Sequence, residues 1–230
     1  MSEKTIRASP QRTDHYQRHE LINRHIVERE MVIKKISILL CLKMVSRAEA
    51  LLQGDTEQKE KTNLLRGLLD EIISGNGVDE LVNLVNLMVG DGVPLVISRP
   101  VLQHFSQEIC KVPAKARGQV LRHAIDALMS RNVSFEETDA KLRELLGQSL
   151  ADSEEYVEAA RVLAGINLEG GRYNDSQKAE QYVRITELFL EEDETVEAER
   201  YVNRAAQFVH NSLDPLVQVR HKVRYVRCFC

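Results

Sequence analysis

Residues 141–166 read KLRELLGQSLADSEEYVEAARVLAGI, and residues 180–205 read EQYVRITELFLEEDETVEAERYVNRA. The two stretches are copies of one unit displaced by 39 positions, since residue 141 aligns with residue 180. Each copy has an apolar helical stretch, a short acidic turn and a second helical stretch. A period of roughly 20–50 residues made of apolar helical faces is typical of a solenoid, in which each helix pair buries its apolar face against its neighbours. The repeat therefore predicts an all-α solenoid.

Small residues in the repeat indicate how closely its two helices pack. The first copy matches the residue spacing of tetratricopeptide repeats at Leu146, Gly147, Leu150, Tyr156, Ala159 and Leu163. Small side chains at Gly147 and Ala159 let antiparallel helices approach to about 8–10 Å. The second copy keeps Ala198 but has Thr186 for the glycine and Thr195 for the tyrosine. We expect a right-handed α-solenoid of degenerate tetratricopeptide-like pairs, with Ala159 and Ala198 buried where helices meet. The alternative is an ordinary helical hairpin repeated by chance.

Composition agrees with a helical protein. Of 230 residues, 43% are hydrophobic and only 5% aromatic, with no Trp, which suits helices packed with Leu, Val, Ile and Ala. The formal net charge of −4 does not favour a nucleic-acid partner, which usually meets a basic domain. The four cysteines form no CxxC pair, so we interpret them as reduced thiols of a cytoplasmic and nuclear protein. No apolar run is long enough to cross a membrane.

Capping residues, glycines and prolines divide the rest of the chain into further helices. The predicted helices cover residues 57–73, 79–89, 98–110, 113–130, 134–150, 154–164, 176–190, 195–210 and one starting at 215. Ser98 and Ser134 are expected N-caps, the latter within a capping box that ends at Glu137. Residues 1–56 are predicted as a divergent segment, a disordered tail followed by helices. Residues 57–230 are predicted as the repeat arm.

No arrangement of residues predicts catalysis, a cofactor or a metal. His15 and His19 stand four residues apart, but no further ligands accompany them, so they are interpreted as solvated helix residues. The glycine pairs at 90–92 and 170–171 are interpreted as helix-ending turns and not as phosphate loops. The chain closes on Cys228-Phe229-Cys230, which we interpret as the end of a helix and not as a lipidation signal.

Several strings, in order along residues 61–226, resemble the family of fourth subunits of the COP-9 signalosome. The strings are VPLVISR (93–99), VSFEE (133–137), AARVLAGI (159–166), LEED (190–193), YVNRA (201–205) and KVRY (222–225). The resemblance covers most of the chain, although the first sixty residues do not share it. None of the strings is a catalytic signature, and the specificity lies in their common order.

The resemblance implies a scaffold. Members have an N-terminal helical-repeat arm, then a PCI domain with a winged helix, then a C-terminal bundle helix; this chain is expected to stop before the winged helix. The complex removes the modifier Nedd8 from cullin-RING ubiquitin ligases. A zinc metalloprotease subunit performs that chemistry, and the arm is thought to hold the ligase. The implied partners are other signalosome subunits and a cullin-RING ligase, with no nucleic acid, membrane or small-molecule substrate.

Two groups of residues are candidates for partner binding. The acidic turn, Glu191, Glu192, Asp193 and Glu194, suits a basic partner surface, and the alternative is a solvated loop. Arg161, Arg200 and Asn203 would line the inner face of a free-standing tetratricopeptide-like adaptor that binds a peptide. That adaptor and a proteasome-lid subunit of similar design are the alternative functions.

Overall fold

The computed structural model describes residues 29, 31, 35, 42–211 and 214–229, and within these ranges all regular structure is helical. The helices are α1 (42–53), α2 (Gln58–Ser74), α3 (Val78–Val89), α4 (Leu95–Glu108), α5 (Ala114–Met129), α6 (Asn132–Asp152), α7 (Tyr156–Ala164), α8 (Asp175–Glu191), α9 (Thr195–Val209) and α10 (Pro215–Phe229). A short 3₁₀ turn, Ile109–Lys111, follows α4. The predicted all-α solenoid is confirmed.

The helices follow one another as four pairs, α2 with α3, α4 with α5, α6 with α7 and α8 with α9. The members of the first, third and fourth pairs contact each other directly, whereas α4 and α5 meet mainly through the 3₁₀ turn between them, and α5 packs on α3 and α6. Leu81, Val120, Ala159 and Ala198 stand at intervals of 39 residues in the four second helices, and each is 0% exposed. The period that the sequence displayed in two copies therefore runs through four. In the sequence only the last two copies are evident, because the first two copies have Leu81 and Val120 at the position where the later copies have Ala.

The turns between paired helices repeat as well. Glu154 and Asp193 are equivalent in the repeat, and both have positive φ, at 63° and 55°. The next amide in each turn, at Glu155 or Glu194, donates back to the carbonyl five residues earlier at 2.9 Å. Asn76, with φ 53°, occupies the same kind of turn after α2. A left-handed residue with this bonding closes a helix by satisfying its last carbonyl groups. The predicted helix–turn–helix unit is therefore the repeating element.

Small residues set the contact within the third pair, as the sequence predicted. Ala159 is fully buried, and a Cβ added to Gly147 would lie 2.8 Å from Cγ of Leu163. That separation is too short for two carbon atoms in contact. Gly147 is therefore required for α6 and α7 to lie at their observed distance.

Polar side chains join each pair to the next. Arg66 donates to the carbonyl of Pro100 at 3.3 Å, Arg99 to that of Ser134 at 2.8 Å, and Arg184 to Gln148 Oε1 at 2.6 Å. These partners are 34–36 residues apart. Arginine is suited to such links because its long stem packs along apolar surface while its guanidinium reaches a neighbouring carbonyl.

Two predicted N-caps were wrong. Helix α4 begins at Leu95 after Pro94, so Ser98 is a fully buried residue of its first turn. Helix α6 begins at Asn132 and is kinked at Phe135, whose φ of −124° is not helical. A complete capping box lies instead at Asn174, which exchanges hydrogen bonds with Gln177 at 2.9 and 3.0 Å.

Other predictions concern residues outside the described ranges. These are the predicted disordered tail, His15 and His19, and Cys230. The boundary between residues 56 and 57 stays a prediction. Helix α1 contributes Ala48, 1% exposed, to the same core as the arm.

Candidate partner-binding surfaces

The acidic turn connects α8 to α9 and is fully available to a partner. All four of its side chains belong to exposed residues. The nearest described cation is Arg227 of α10, whose Nη2 lies 3.5 Å from Asp193 Oδ1. The same nitrogen makes a shorter bond of 2.7 Å to the carbonyl of Leu190. Arg227 therefore anchors the backbone before the turn and leaves most of its negative charge exposed.

The predicted basic residues lie elsewhere, on the second helices. Arg161 of α7 and Arg200 of α9 are exposed and equivalent in the repeat. The same position in α5 holds Arg122, whose Nη1 is 3.0 Å from Glu158 Oε1. Arg200 pairs with Glu197 of its own helix at 3.3 Å. Equivalent arginines thus form a charged row along the second helices.

Asn203 is exposed on α9, one turn beyond Arg200. None of Arg161, Arg200 and Asn203 lines the larger grooves found among the described residues along the first helices. The structure therefore does not bring the predicted basic residues and the grooves together into one site.

A groove between α4 and α6, flanked by the segment before α8, has a volume of about 450 Å³. Its wall includes Gln103, Gln107, Lys141, Arg172 and Tyr173. Burial, with a smaller effect from the charge of Glu144, raises the pKa of Tyr173. The phenol therefore remains protonated and able to donate a hydrogen bond. Amides and charges of both signs suit binding of a polypeptide segment.

A cluster that the sequence analysis missed joins α8 to α10. Glu187 accepts two hydrogen bonds from Arg220, at 3.0 and 2.5 Å, and Arg224 adds a third at 3.3 Å. Burial opposes ionisation of Glu187, but the two guanidinium groups outweigh it and lower the pKa of the carboxyl. Glu187 in turn raises the pKa of Arg220. The signal in the sequence was a last helix with four Arg or Lys residues and no acidic residue.

Two other kinds of site are absent from the described part of the chain. No group of three or more His, Cys, Asp or Glu side chains there is arranged to hold a metal ion. No helix there is both long and apolar enough to span a bilayer.

The stacked pairs, their repeated turns and their exposed charged rows define the class of protein, an α-solenoid of tetratricopeptide-like helix pairs. Comparison with known families is more specific. The family described as PSMD12/CSN4, N-terminal, matches residues 41–229. Because that match covers most of the chain, the chain belongs to this family.

Individual relatives agree with the family match. The chain is 31% identical over 173 residues to COP9 signalosome complex subunit 4 of Arabidopsis thaliana, covering 74% of this chain and 44% of the relative. It is 33% identical over 163 residues to the protein of that name from Emericella nidulans, covering 68% and 40%. The Drosophila melanogaster protein of that name is 32% identical over 174 residues, covering 74% and 43%. The resemblance seen in the sequence is confirmed, and the chain spans less than half the length of these relatives.

Proposed function

We propose that the chain acts as a non-catalytic scaffold arm of a COP9 signalosome. The observation that carries this proposal is the family match across residues 41–229, joined by 29–33% identity to four relatives named as subunit 4 of that complex. The partners proposed are other signalosome subunits and a cullin-RING ubiquitin ligase. The arm would help to hold the ligase while another subunit removes Nedd8.

The charged surfaces support a role in holding a partner. The acidic turn and the arginine row present charges of both signs on rigid elements, with most of the polar side chains exposed. Charges at the rim of an interface mainly accelerate encounter and fix orientation. A weak, salt-dependent contact with a cullin-RING surface is the proposed mechanism.

The remaining parts of the proposal concern organisation and location. Residues 57–230 would form the arm, and residues 1–56 would be a divergent N-terminal segment whose helix α1 packs against the arm through Ala48. The protein would work in the cytoplasm and nucleus without a cofactor, nucleic acid, membrane or small-molecule substrate.

The test is binding by the purified full chain to four immobilised probes. These are a recombinant cullin-RING complex, the remaining signalosome subunits, a proteasome lid lacking one arm subunit, and peptides ending in a free carboxylate. Binding to the first two, and not to the last two, is expected. Binding only to the lid or only to the peptides would replace the scaffold proposal by one of its alternatives.

One observation, the groove between α4 and α6, favours the alternative function of a peptide-binding adaptor. A Gln107→Ala and Arg172→Ala double variant would weaken peptide binding if this groove were the site. Under the scaffold proposal that variant binds the cullin-RING complex as the unchanged chain does.

A further inference from the structure

The turn between α2 and α3 contains Asn76-Gly77, the only Asn-Gly pair in the sequence. The backbone nitrogen of the residue after an asparagine can attack the side-chain amide, and a glycine there has no Cβ to obstruct the approach. Asparagine is for this reason among the thermolabile residues. Whether the reaction occurs at Asn76 depends on how the fold holds the two residues.

The side chain of Asn76 is open to this attack. Asn76 is an exposed residue, and its side-chain amide makes no hydrogen bond with the described residues. The asparagines of α3 differ, since Asn83 Nδ2 donates to the carbonyl of Asp79 at 2.7 Å and Asn86 Oδ1 lies 3.1 Å from His123 Nε2. Nothing comparable fixes the side chain of Asn76 away from the following backbone.

The attacking nitrogen, in contrast, is restrained. Gly77 N donates to the carbonyl of Ile72 at 3.2 Å, and Asn76 N donates to that of Ile73 at 3.1 Å. With Asn76 at φ 53°, these two bonds form the Schellman motif that closes α2. Gly77 N has to leave Ile72 before it reaches Cγ of Asn76. The reaction therefore takes place when the turn opens locally.

We propose that Asn76 is a site of spontaneous deamidation whose rate is set by opening of the α2–α3 turn. Gly77 N forms a bond to Cγ of Asn76, the bond from Cγ to Nδ2 breaks, and the amide proton of Gly77 leaves with Nδ2 as ammonia. The product is a succinimide ring. Water then opens the ring at Cγ, which gives aspartate, or at the backbone carbonyl carbon, which gives isoaspartate.

The two products differ in their effect on the turn. Aspartate keeps the original backbone and tolerates the left-handed conformation. Isoaspartate routes the backbone through Cβ and Cγ, and the extra carbon lengthens the link between α2 and α3 by about 1.5 Å. The hydrogen bonds to Ile72 and Ile73 then lose their geometry. Because Ile73 and Leu81, on either side of the turn, are 4% and 0% exposed, isoaspartate loosens the packing of the first pair.

The modification needs only water as a co-reactant. It involves neither the acidic turn nor the arginine row, so it does not depend on the scaffold role proposed above. Either proposal can fail while the other stands.

Peptide mapping by mass spectrometry follows the reaction in the purified full chain at mildly alkaline pH. Asn76 should gain the mass of an amide-to-acid conversion faster than Asn83 and Asn86, which serve as internal controls. In urea Asn76 should react at least about tenfold faster than in the folded chain, since no turn then restrains Gly77.

Urea denaturation of the aged chain tests the effect of isoaspartate. The aged chain should unfold at a lower urea concentration than the fresh Asn76→Asp variant. Protein isoaspartyl methyltransferase with S-adenosylmethionine converts isoaspartate to aspartate, and this treatment should remove the difference.

Asn76→Gly is the matched control, because glycine adopts positive φ and has no side-chain amide. Gly77→Ala is unsuitable, since an added Cβ would lie 2.6 Å from Glu80 Oε2. Asp91-Gly92, the only Asp-Gly pair in the sequence, also forms isoaspartate through a succinimide. The aged Asn76→Gly variant retains that pair and should respond to the methyltransferase less than the aged unchanged chain does.

Three outcomes would overturn the proposal. The first is reaction of Asn76 in the folded chain no faster than that of Asn83 and Asn86. The second is an equal rate in the folded and the urea-unfolded chain, because the turn would then not control the reaction. The third is an aged chain that unfolds at the same urea concentration as Asn76→Asp although isoaspartate is found at position 76.

Discussion

At the scale of single residues, close contacts between paired helices depend on side chains that have almost no volume. Gly147 faces Leu163, and Ala159 and Ala198 are fully enclosed. Enlarging such a residue forces neighbouring side chains out of their rotamers or moves the backbone. The fold should therefore be sensitive to added atoms at these positions.

Replacement of Ala159 by Leu should lower the free energy of unfolding by about 1–3 kcal/mol through overpacking. Ala198→Leu, at the equivalent position, should have a similar effect. Ala50→Leu is the control, because Ala50 is an exposed residue of α1. Urea denaturation followed by circular dichroism measures all three. An unchanged midpoint for Ala159→Leu would show that α6 and α7 do not pack through this residue.

The Glu187 cluster gives a pH-dependent contribution to stability. Because the pKa of Glu187 is lowered in the folded chain from its ordinary value of 4.5, ionisation favours the fold at pH above that value. The contribution is lost as pH falls through the lower folded pKa. Stability near neutral pH therefore includes the Arg220 and Arg224 bonds.

Glu187→Gln should reduce the free energy of unfolding by about 1–2 kcal/mol at pH 7, because two partly buried guanidinium groups lose their counter-charge. The difference from the unchanged chain should begin to narrow as pH falls below the ordinary value of 4.5 and should shrink further as pH falls through the lowered pKa of Glu187. Urea denaturation from pH 7 to pH 3.5 measures this. Glu180→Gln, an exposed α8 residue, is the control. If the free energies of unfolding of the variant and the unchanged chain differ by the same amount from pH 7 to pH 3.5, ionisation of Glu187 does not stabilise the fold.

At the scale of elements, the turns that follow α2, α6 and α8 each depend on one left-handed residue. Asn tolerates this conformation, whereas a Glu pays a steric penalty between its Cβ and the following carbonyl. Glu154, at φ 63°, is such a residue, and its equivalent Asp193 adopts the same conformation. Strain at these turns is offset by the hydrogen bonds that close the preceding helix.

Glu154→Gly should therefore be more stable than Glu154→Ala, by about 1 kcal/mol, because glycine adopts positive φ freely. The alanine variant controls for loss of the side chain while it keeps the Cβ. Thermal melts of the two variants under the same conditions measure the difference. Equal melting temperatures would mean that the turn relaxes to another conformation.

At the scale of the whole molecule, the solenoid spreads its charged residues over separate surfaces. The acidic turn lies at the junction of α8 and α9, and the arginine row runs along the second helices. Such an arrangement allows different partners to bind at different places. It agrees with the scaffold role proposed above.

Reversal of Glu191, Glu192, Asp193 and Glu194 to Lys tests the proposed contact with a cullin-RING complex. The association rate should fall, and the remaining binding should respond differently to salt, because rim charges act mainly on encounter. Surface plasmon resonance at low and physiological salt measures both effects. In the control variant, Lys replaces two other exposed residues, Glu57 at the N-cap of α2 and Glu60 in its first turn. Unchanged association rates in the acidic-turn variant would show that the turn is a solvated loop that does not contact the cullin-RING complex.

The sequence by itself determined the helices, the pairing and the packing of Ala159 and Ala198. These depend on apolar spacing and on glycine or acidic turns, which are local and repeat at 39 residues. The order of the strings along residues 61–226 also identified the family. The predicted start of α6 was wrong. Arg131, the residue before α6, donates hydrogen bonds to the carbonyls of Val89 and Gly90 at the end of α3, and local sequence patterns do not reveal such a long-range contact.

Only the tertiary structure decided which faces are covered. The structure extends the repeat to four pairs. Leu81 and Val120 are buried at the positions equivalent to Ala159 and Ala198, although their side chains are larger than alanine. It joined Glu187 to arginines 33 and 37 residues away, a contact that depends on how α10 lies across α8. It also left Val219 and Val223 of α10 exposed. Local patterns specify which side of a helix is apolar, but contact between distant helices determines whether that side is buried.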